Sequence, residues 1–490
     1  MKRNIITAGL VFVIALAGLA ITYFYVNGQQ DQVDIRETVL KGDPAAAKGI
    51  TLKFKTCDVG TGQLLWDTDY KISGGSRAKT KFQRVTNGRY CEDWNKNEAS
   101  FYEVFPSSYH SDEENSVEKF PSPAIENLIK DIASRTKNGE TLTETYQMKD
   151  YFDYYPLDLQ VDMTEETPCV GVYASDSTYF KIPAPDDYPL DVSVTKDGQG
   201  NITSYDILSA GNSLTVDTKS LYTSAGCYLA LDTPYYTTDY VTEESGDENT
   251  TIKIPLSKRM RAIHYLPFIA KEKDYRKWYE VDWKNARPVY MIPAGVEVSD
   301  IQSSPDGKDL LLFTEEQGQT YFSVIDMKSM KLLQKICLVH DKKTSYMVMK
   351  NRGDDILVFL ENGQFYLFTQ KGNRYRMELS DNFHQVAAMK NVALVPPLLS
   401  FDYDGAQLAF AAADIRDIYD INNGSCYLLV FSKKGLQYAG YYRNSLYRTP
   451  SDTGSAYETR PANTFDEGTF HKNVTYIDSR SKIDALEVKL

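Results

Sequence analysis

The 490-residue sequence is poor in the residues and spacings that usually announce chemistry. It has five histidines, at 110, 264, 340, 384 and 471, and none lies in HExxH or another metal-ligand spacing. Its six cysteines (57, 91, 169, 227, 337 and 426) contain no CxxC pair, which removes the common zinc signatures. A GxSxG elbow, a P-loop and a dinucleotide glycine loop are also missing. A Ser-His-Asp set gathered from distant positions, or a pair of carboxylates, stays open, because spatial separation decides both. The reading therefore names no catalytic residue, no cofactor-binding residue and no metal ligand. Asp402-Tyr403-Asp404-Gly405 begins like a calcium loop but lacks the later ligands, so it is read as a turn.

Basic residues are also in short supply. Lys and Arg number 54 against 67 Asp and Glu, for a net charge of −13. No basic stripe interrupts that balance, which excludes a nucleic-acid partner and disfavours binding to an anionic membrane or an acidic wall polymer. An acidic, solvated surface is the expectation.

One long apolar run is present. Lys2 and Arg3 precede an uncharged stretch from Ile5 to Val26, and about 20 residues suffice to cross a bilayer. Tyr23, Phe24 and Tyr25 stand at its far end, where aromatic rings favour the interface and a signal-peptidase site would need small residues. The expectation is an uncleaved anchor through Ile5, Leu10, Ile14, Leu19 and Val26, with residues 1–4 cytoplasmic and the bulk of the chain outside the cell membrane.

The remainder is read as strands. In residues 298–338, Asp306-Gly307 and Gln317-Gly318 punctuate β-rich runs. The pattern returns at Gly353-Asp354 with Asn362-Gly363, and again at Asp404-Gly405 with Asn423-Gly424. From Asp306 the steps are 48 residues to Asp354 and 50 to Asp404. Steps of about 40–50 residues, each a small meander, suit propeller blades, which bury both faces by stacking. SPDGKDLLLF, at 304–313, resembles WD40-like and YVTN-type propeller repeats, and the likeness extends over residues 298–442. It implies a propeller-like fold; the Ser-Pro-Asp-Gly turn itself is lost from the two later copies. Propellers often close by pairing strands from both chain ends, which would here join the Ile50 strand to a final strand within 474–488.

Ahead of the repeats, residues 27–49 read as a stalk with a short helical turn over 35–41, and 50–290 as a β-rich region. Residues 122–135 form its one amphipathic helix, with Ile125, Leu128, Ile129 and Ile132 in a single stripe and Ser122 as the cap. Asp191 to Leu208 reads as a hairpin, and the basic and aromatic stretch 259–283 as a connector into the repeat region at 291–490. RETVLKGDPAAAKG with LLWDTDY resembles anchored ectodomains of low-GC Gram-positive bacteria, a likeness that implies location and no activity.

The cysteine count is even, so free buried thiols and any of fifteen disulfide pairings remain open. Tyrosine is abundant, with 36 residues, and clusters at 151–155, 235–240 and 438–447; strand packing is the first reading and a ligand rim the second. The sequence thus predicts an all-β, β-propeller-like ectodomain with a small helical insertion behind one N-terminal transmembrane helix. Its expected role is non-catalytic binding, scaffolding or sensing, with the membrane and an envelope protein or glycan as partners and no cofactor. The alternative is an envelope hydrolase acting on glycan or peptide through carboxylates in a propeller funnel.

Overall fold

The computed structural model describes residues 16–21, 33–58, 64–73, 78–84, 98–103, 107–110, 123–155, 157–162, 174–175, 179–209, 212–216, 218–223, 225–238, 250–273, 276–339, 344–415, 424–444 and 481–490. The chain forms two compact units, one made of residues 1–94 with 343–490 and the other of 95–342. The expected division near residue 290 is therefore displaced. Strand pairing between the two ends of the chain gathers them into one unit, and the first repeat falls in the other.

In the first unit the expected closure is present. Strand Thr51–Asp58 lies between Leu64–Lys71 and the C-terminal strand Ser481–Lys489, with Lys79–Arg84 beyond. Leu52 and Phe54 point into the core while Lys53 and Lys55 alternate outward, the period-two pattern of a half-buried strand. The second repeat is a four-stranded antiparallel meander, Tyr346–Arg352, Asp355–Leu360, Gln364–Lys371 and Arg374–Asn382. The third is Leu399–Tyr403, Gln407–Ala413, Ser425–Ser432 and Gly435–Asn444.

The third repeat is buried on both faces. Leu408, Phe410, Leu429 and Phe431 pack with Phe359 and Phe365 of the second repeat. Ala409, Ala411, Leu428 and Val430, on the opposite face, pack with Leu52, Phe54 and Ile483. Sheets stacked face to face in this way need continuous apolar runs in their inner strands, which explains why 408–413 and 426–431 do not alternate.

Residues 35–41 are not a helical turn within a stalk. Ile35–Gly42 is a strand that adds a fifth member to the third repeat by pairing with Gly435–Asn444. An exposed edge offered by the longer strand supplies backbone partners that an isolated helical turn of this length lacks. Gly42 ends the strand at φ +83, and the Asp43 carboxylate accepts from the Ala45 amide at 2.9 Å to start a 3₁₀ turn over Pro44–Ala47.

The second unit carries the amphipathic helix, Pro123–Arg135. Ile125, Leu128, Ile129 and Ile132 are fully buried against Val192, Val194, Tyr205 and Ile207 of a sheet ordered Ser107–His110, Ile202–Ser209, Pro189–Lys196 and Thr141–Gln147. The expected hairpin is the pair Pro189–Lys196 and Ile202–Ser209. Two three-stranded sheets accompany it, Glu98–Glu103 with Leu157–Asp162 and Ala174–Ser175, and Asn212–Thr215 with Tyr235–Thr238 and Thr250–Lys253. Ser122 lies outside the described residues.

The stretch 259–283 is a long hairpin rather than a connector. Strand Ala262–Lys273 pairs through its first half with Gly226–Leu231 and Arg287–Met291, and through its second half with Arg276–Val281. Thr218–Thr223 completes that sheet. The first repeat, Val296–Ser303, Asp309–Glu316, Gln319–Asp326 and Lys331–Val339, is again a four-stranded meander.

Residues 16–21 are helical, with Leu16, Leu19 and Ile21 exposed; Ile5, Leu10, Ile14 and Val26 lie outside the described residues. Among the described residues no helix is long and apolar enough to cross a membrane.

Candidate functional site

A depression of about 510 Å³ opens on the second unit, between the five-stranded sheet and the turn that joins the last two strands of the first repeat. Its floor is a row of side chains directly opposite one another across adjacent strands: Tyr228 pairs with Tyr265, and Tyr265 with Arg287. Around Tyr228, Cys227, Leu229 and Leu231 turn to the buried face, so alternation leaves the tyrosine on the other side. Arg287 arrives opposite Tyr265 through a register shift between Ile263 and His264. Pro288 lacks an amide proton, which an edge strand tolerates.

The row is contiguous. The rings of Tyr228 and Tyr265 are 4.9 Å apart, and the Arg287 guanidinium carbon sits 5.3 Å from the Tyr265 ring centre, a cation–π contact. Arg287 Nη1 donates to the Asn285 carbonyl at 3.2 Å, and Asn285 is itself held by Asp282 through backbone and side-chain bonds. Tyr265 donates its hydroxyl to the Ala225 carbonyl at 3.2 Å. Burial raises the Tyr228 hydroxyl above the usual phenol range.

The opposite wall is the turn carrying Met327, Lys328 and Met330, with Val289 beside it. Asp326 organises this turn: its carboxylate accepts from the Ser329 amide at 2.6 Å, and its carbonyl accepts from the Met330 amide at 2.7 Å. Bonds from the Ser329 hydroxyl and amide hold the Asp326 carboxyl below the usual carboxylate range. Met330 sits at φ +53, a left-handed conformation uncommon for a side-chain-bearing residue. The depression is thus lined by two tyrosines, two cations and apolar edges, and its described lining includes no carboxylate.

Behind the row, on the other face of the same strand, His264 is fully buried. Tyr179 donates its hydroxyl to Nδ1 at 3.0 Å, and Nε2–H donates to the Met260 carbonyl at 2.9 Å, which fixes the neutral tautomer. Burial lowers its pKa to about 4 and raises that of Tyr179 to about 12. Phe180 packs on the imidazole and Trp283 on Phe180, so this group is part of the core.

Sequence reasoning placed its tyrosine interest elsewhere. Tyr155, Tyr438 and Tyr442 are buried packing residues, and the side chains of 235–240 lie outside the described residues. Tyr438 bonds to Tyr442 at 2.8 Å and to Glu37 at 2.6 Å. Tyr228 and Tyr265 escaped notice because they are 37 residues apart and meet only through strand register. The Asp404 carboxylate accepts from the Ala406 and Gln407 amides at 2.8 and 2.7 Å, as a turn requires. Cys57, Cys227, Cys337 and Cys426 are free thiols, whereas Cys91 and Cys169 lie outside the described residues.

No protein family model and no curated protein matches the chain. Among solved structures it is similar to a candidate 6-phosphogluconolactonase of Bacteroides uniformis, at 10% identity and a TM-score of 0.29, covering 79% of this chain and 94% of that one. The β-propeller domain of Vanderwaltozyma polyspora Nup133 is 13% identical with a TM-score of 0.22, over 49% of this chain and 78% of its own. The WD40 domain of Neurospora crassa Pan2 is 9% identical with a TM-score of 0.21, over 45% and 64% respectively. Scores this low carry no argument about activity, and the all-β, repeat-built description rests on the strand pairing above.

Proposed function

We propose that the protein is a membrane-anchored, propeller-like binding ectodomain at the cell envelope, held by the apolar run 5–26 and presenting its ligand site on residues 95–342. The observation that carries the binding part is the contiguous row Tyr228–Tyr265–Arg287 at the floor of an open depression. Aromatic and arginine side chains presented from paired strands form a rigid recognition surface, because little conformational freedom is lost when a ligand meets them. Location is supported by the flanking charges and aromatic residues of the apolar run. The partner is an envelope glycan or protein.

The test is a pull-down of tagged full-length chain from native membranes, read by mass spectrometry, alongside the Arg287→Ala chain. A partner retained by the parent and lost by the variant is the expected result. A partner retained equally by both would remove this depression from the binding role. Turnover of a glycan or peptide substrate by the purified chain would replace the reading with a hydrolase.

A further inference from the structure

Resting on that binding role, we propose that the depression takes a short saccharide bearing a carboxylate, a uronic acid being the simplest example. The first argument is charge. The chain carries 67 acidic and 54 basic residues, yet Arg287 and Lys328 both face the depression and neither forms an ion pair among the described residues. Asp326, two residues before Lys328 and electrostatically coupled to it, spends its carboxylate on Ser329, and Arg287 is left as the cation without an acidic partner among the described residues. Other cations of the same unit do find acids, as Lys253 does with Glu297 at 2.7 Å and Lys335 with Glu316 at 2.5 Å.

The second argument is orientation. Stacking on Tyr265 and the bond to the Asn285 carbonyl leave most of the guanidinium N–H groups unused and fixed in direction. A planar fork with fixed donors matches a carboxylate better than it matches a point anion.

The third is the rest of the lining. The Tyr228 hydroxyl has no hydrogen-bond partner among the described residues, and Met327, Met330 and Val289 supply apolar edges. A sugar ring presents hydroxyls to the first and C–H faces to the second. A volume of about 510 Å³ holds one or two rings. The overall negative charge repels a long polyanion while leaving a short, singly charged ligand free to enter, since separated charges are screened within about 10 Å.

Titration calorimetry of the full-length chain with sodium glucuronate, glucose and inorganic phosphate tests this. Glucuronate is expected to bind saturably, with glucose weaker by about tenfold or more, because a charge-assisted bond is lost. Arg287→Gln and, separately, Lys328→Gln should each weaken glucuronate by a larger factor than glucose; both residues are exposed, so the fold survives. Tyr228→Phe should weaken both sugars. Equal affinity for glucose and glucuronate would overturn the carboxylate requirement while leaving the binding role intact. Phosphate binding as well as glucuronate, insensitive to Tyr228→Phe, would reduce the site to a simple anion site. Absence of saturable binding by any of the three, with the membrane partner still captured in an Arg287-dependent way, would reject the saccharide and retain a protein ligand.

Discussion

Arg352 and Val488 are joined by a hydrogen bond of 2.7 Å from the guanidinium Nη1 to the backbone carbonyl. The same nitrogen donates to the Phe401 carbonyl at 2.9 Å, and Nε meets Asp402 at 3.2 Å. One side chain thereby clamps the C-terminal strand Ser481–Lys489 to Leu399–Tyr403. The Val488 amide adds a bond to the Ser400 hydroxyl at 3.0 Å, and Leu490 one to Asp402 at 2.9 Å.

Replacing Arg352 by Ala should destabilise the first unit by about 1–3 kcal/mol, the cost of leaving two partly buried carbonyls without a donor. Lys should rescue little, since one ammonium cannot reproduce the fork. Urea unfolding of the two variants checks both statements, and accelerated amide exchange across 481–489 would locate the effect.

Gly42→Ala should detach the first strand. A Cβ at this position would stand 2.1 Å from the Gln437 carbonyl oxygen, and φ is +83. Both backbone segments would have to move, so amides of 35–42 are expected to exchange faster while those of 51–58 keep their protection. Unchanged exchange in 35–42 would contradict the pairing.

Ile129→Ala should cost about 2–5 kcal/mol through the cavity left beneath the helix, because the side chain is fully buried. Asn127→Ala, one turn face away and exposed, should lie within about 0.5 kcal/mol of the parent. Thermal denaturation of the pair gives the contrast.

Acid should destabilise the second unit through His264. Its folded pKa, about 4, is below the 6.5 of an unperturbed histidine, so the unfolded chain binds the extra proton between those values. The contribution is fully present above pH 6.5 and is lost as pH falls towards 4, by about 3 kcal/mol in all. A His264→Gln variant should show a flatter stability profile across that window, measured by urea titration at several pH values.

Much of the fold was legible because its signals are local. The turns at Asp306-Gly307, Gly353-Asp354, Asn362-Gly363 and Asp404-Gly405 mark strand ends that the structure reproduces, and the stripe Ile125–Ile132 needs only the helical period. Pairing of 51–58 with 481–489 followed from the need of stacked sheets to close. Elements that depend on distant partners were hidden. Ile35–Gly42 is a strand only because Gly435–Asn444 offers an edge, and the alternation that would have revealed it is absent, since one residue is half-buried and seven exposed. The binding row was hidden for the same reason: a shift of one residue at Ile263 decides whether Arg287 or its neighbour meets Tyr265. The abundant tyrosines pointed to 438–447, where the buried hydroxyls of Tyr438 and Tyr442 bond to one another.

The pairing of Thr51–Asp58 with Ser481–Lys489 also dictates an order of events. Its partners are separated by more than 400 residues, and the whole of 95–342 lies between them in sequence. Bringing together ends at that spacing costs only about 2 kcal/mol more than closing a 50-residue loop. Time, however, is set by synthesis: the sheet lacks its outer strand until 481–489 have been made, whereas 95–342 is continuous and has every strand of its own sheets far earlier. The apolar faces of 51–58 and 64–71 must therefore wait while about 400 further residues are added, and 95–342 can be native before them.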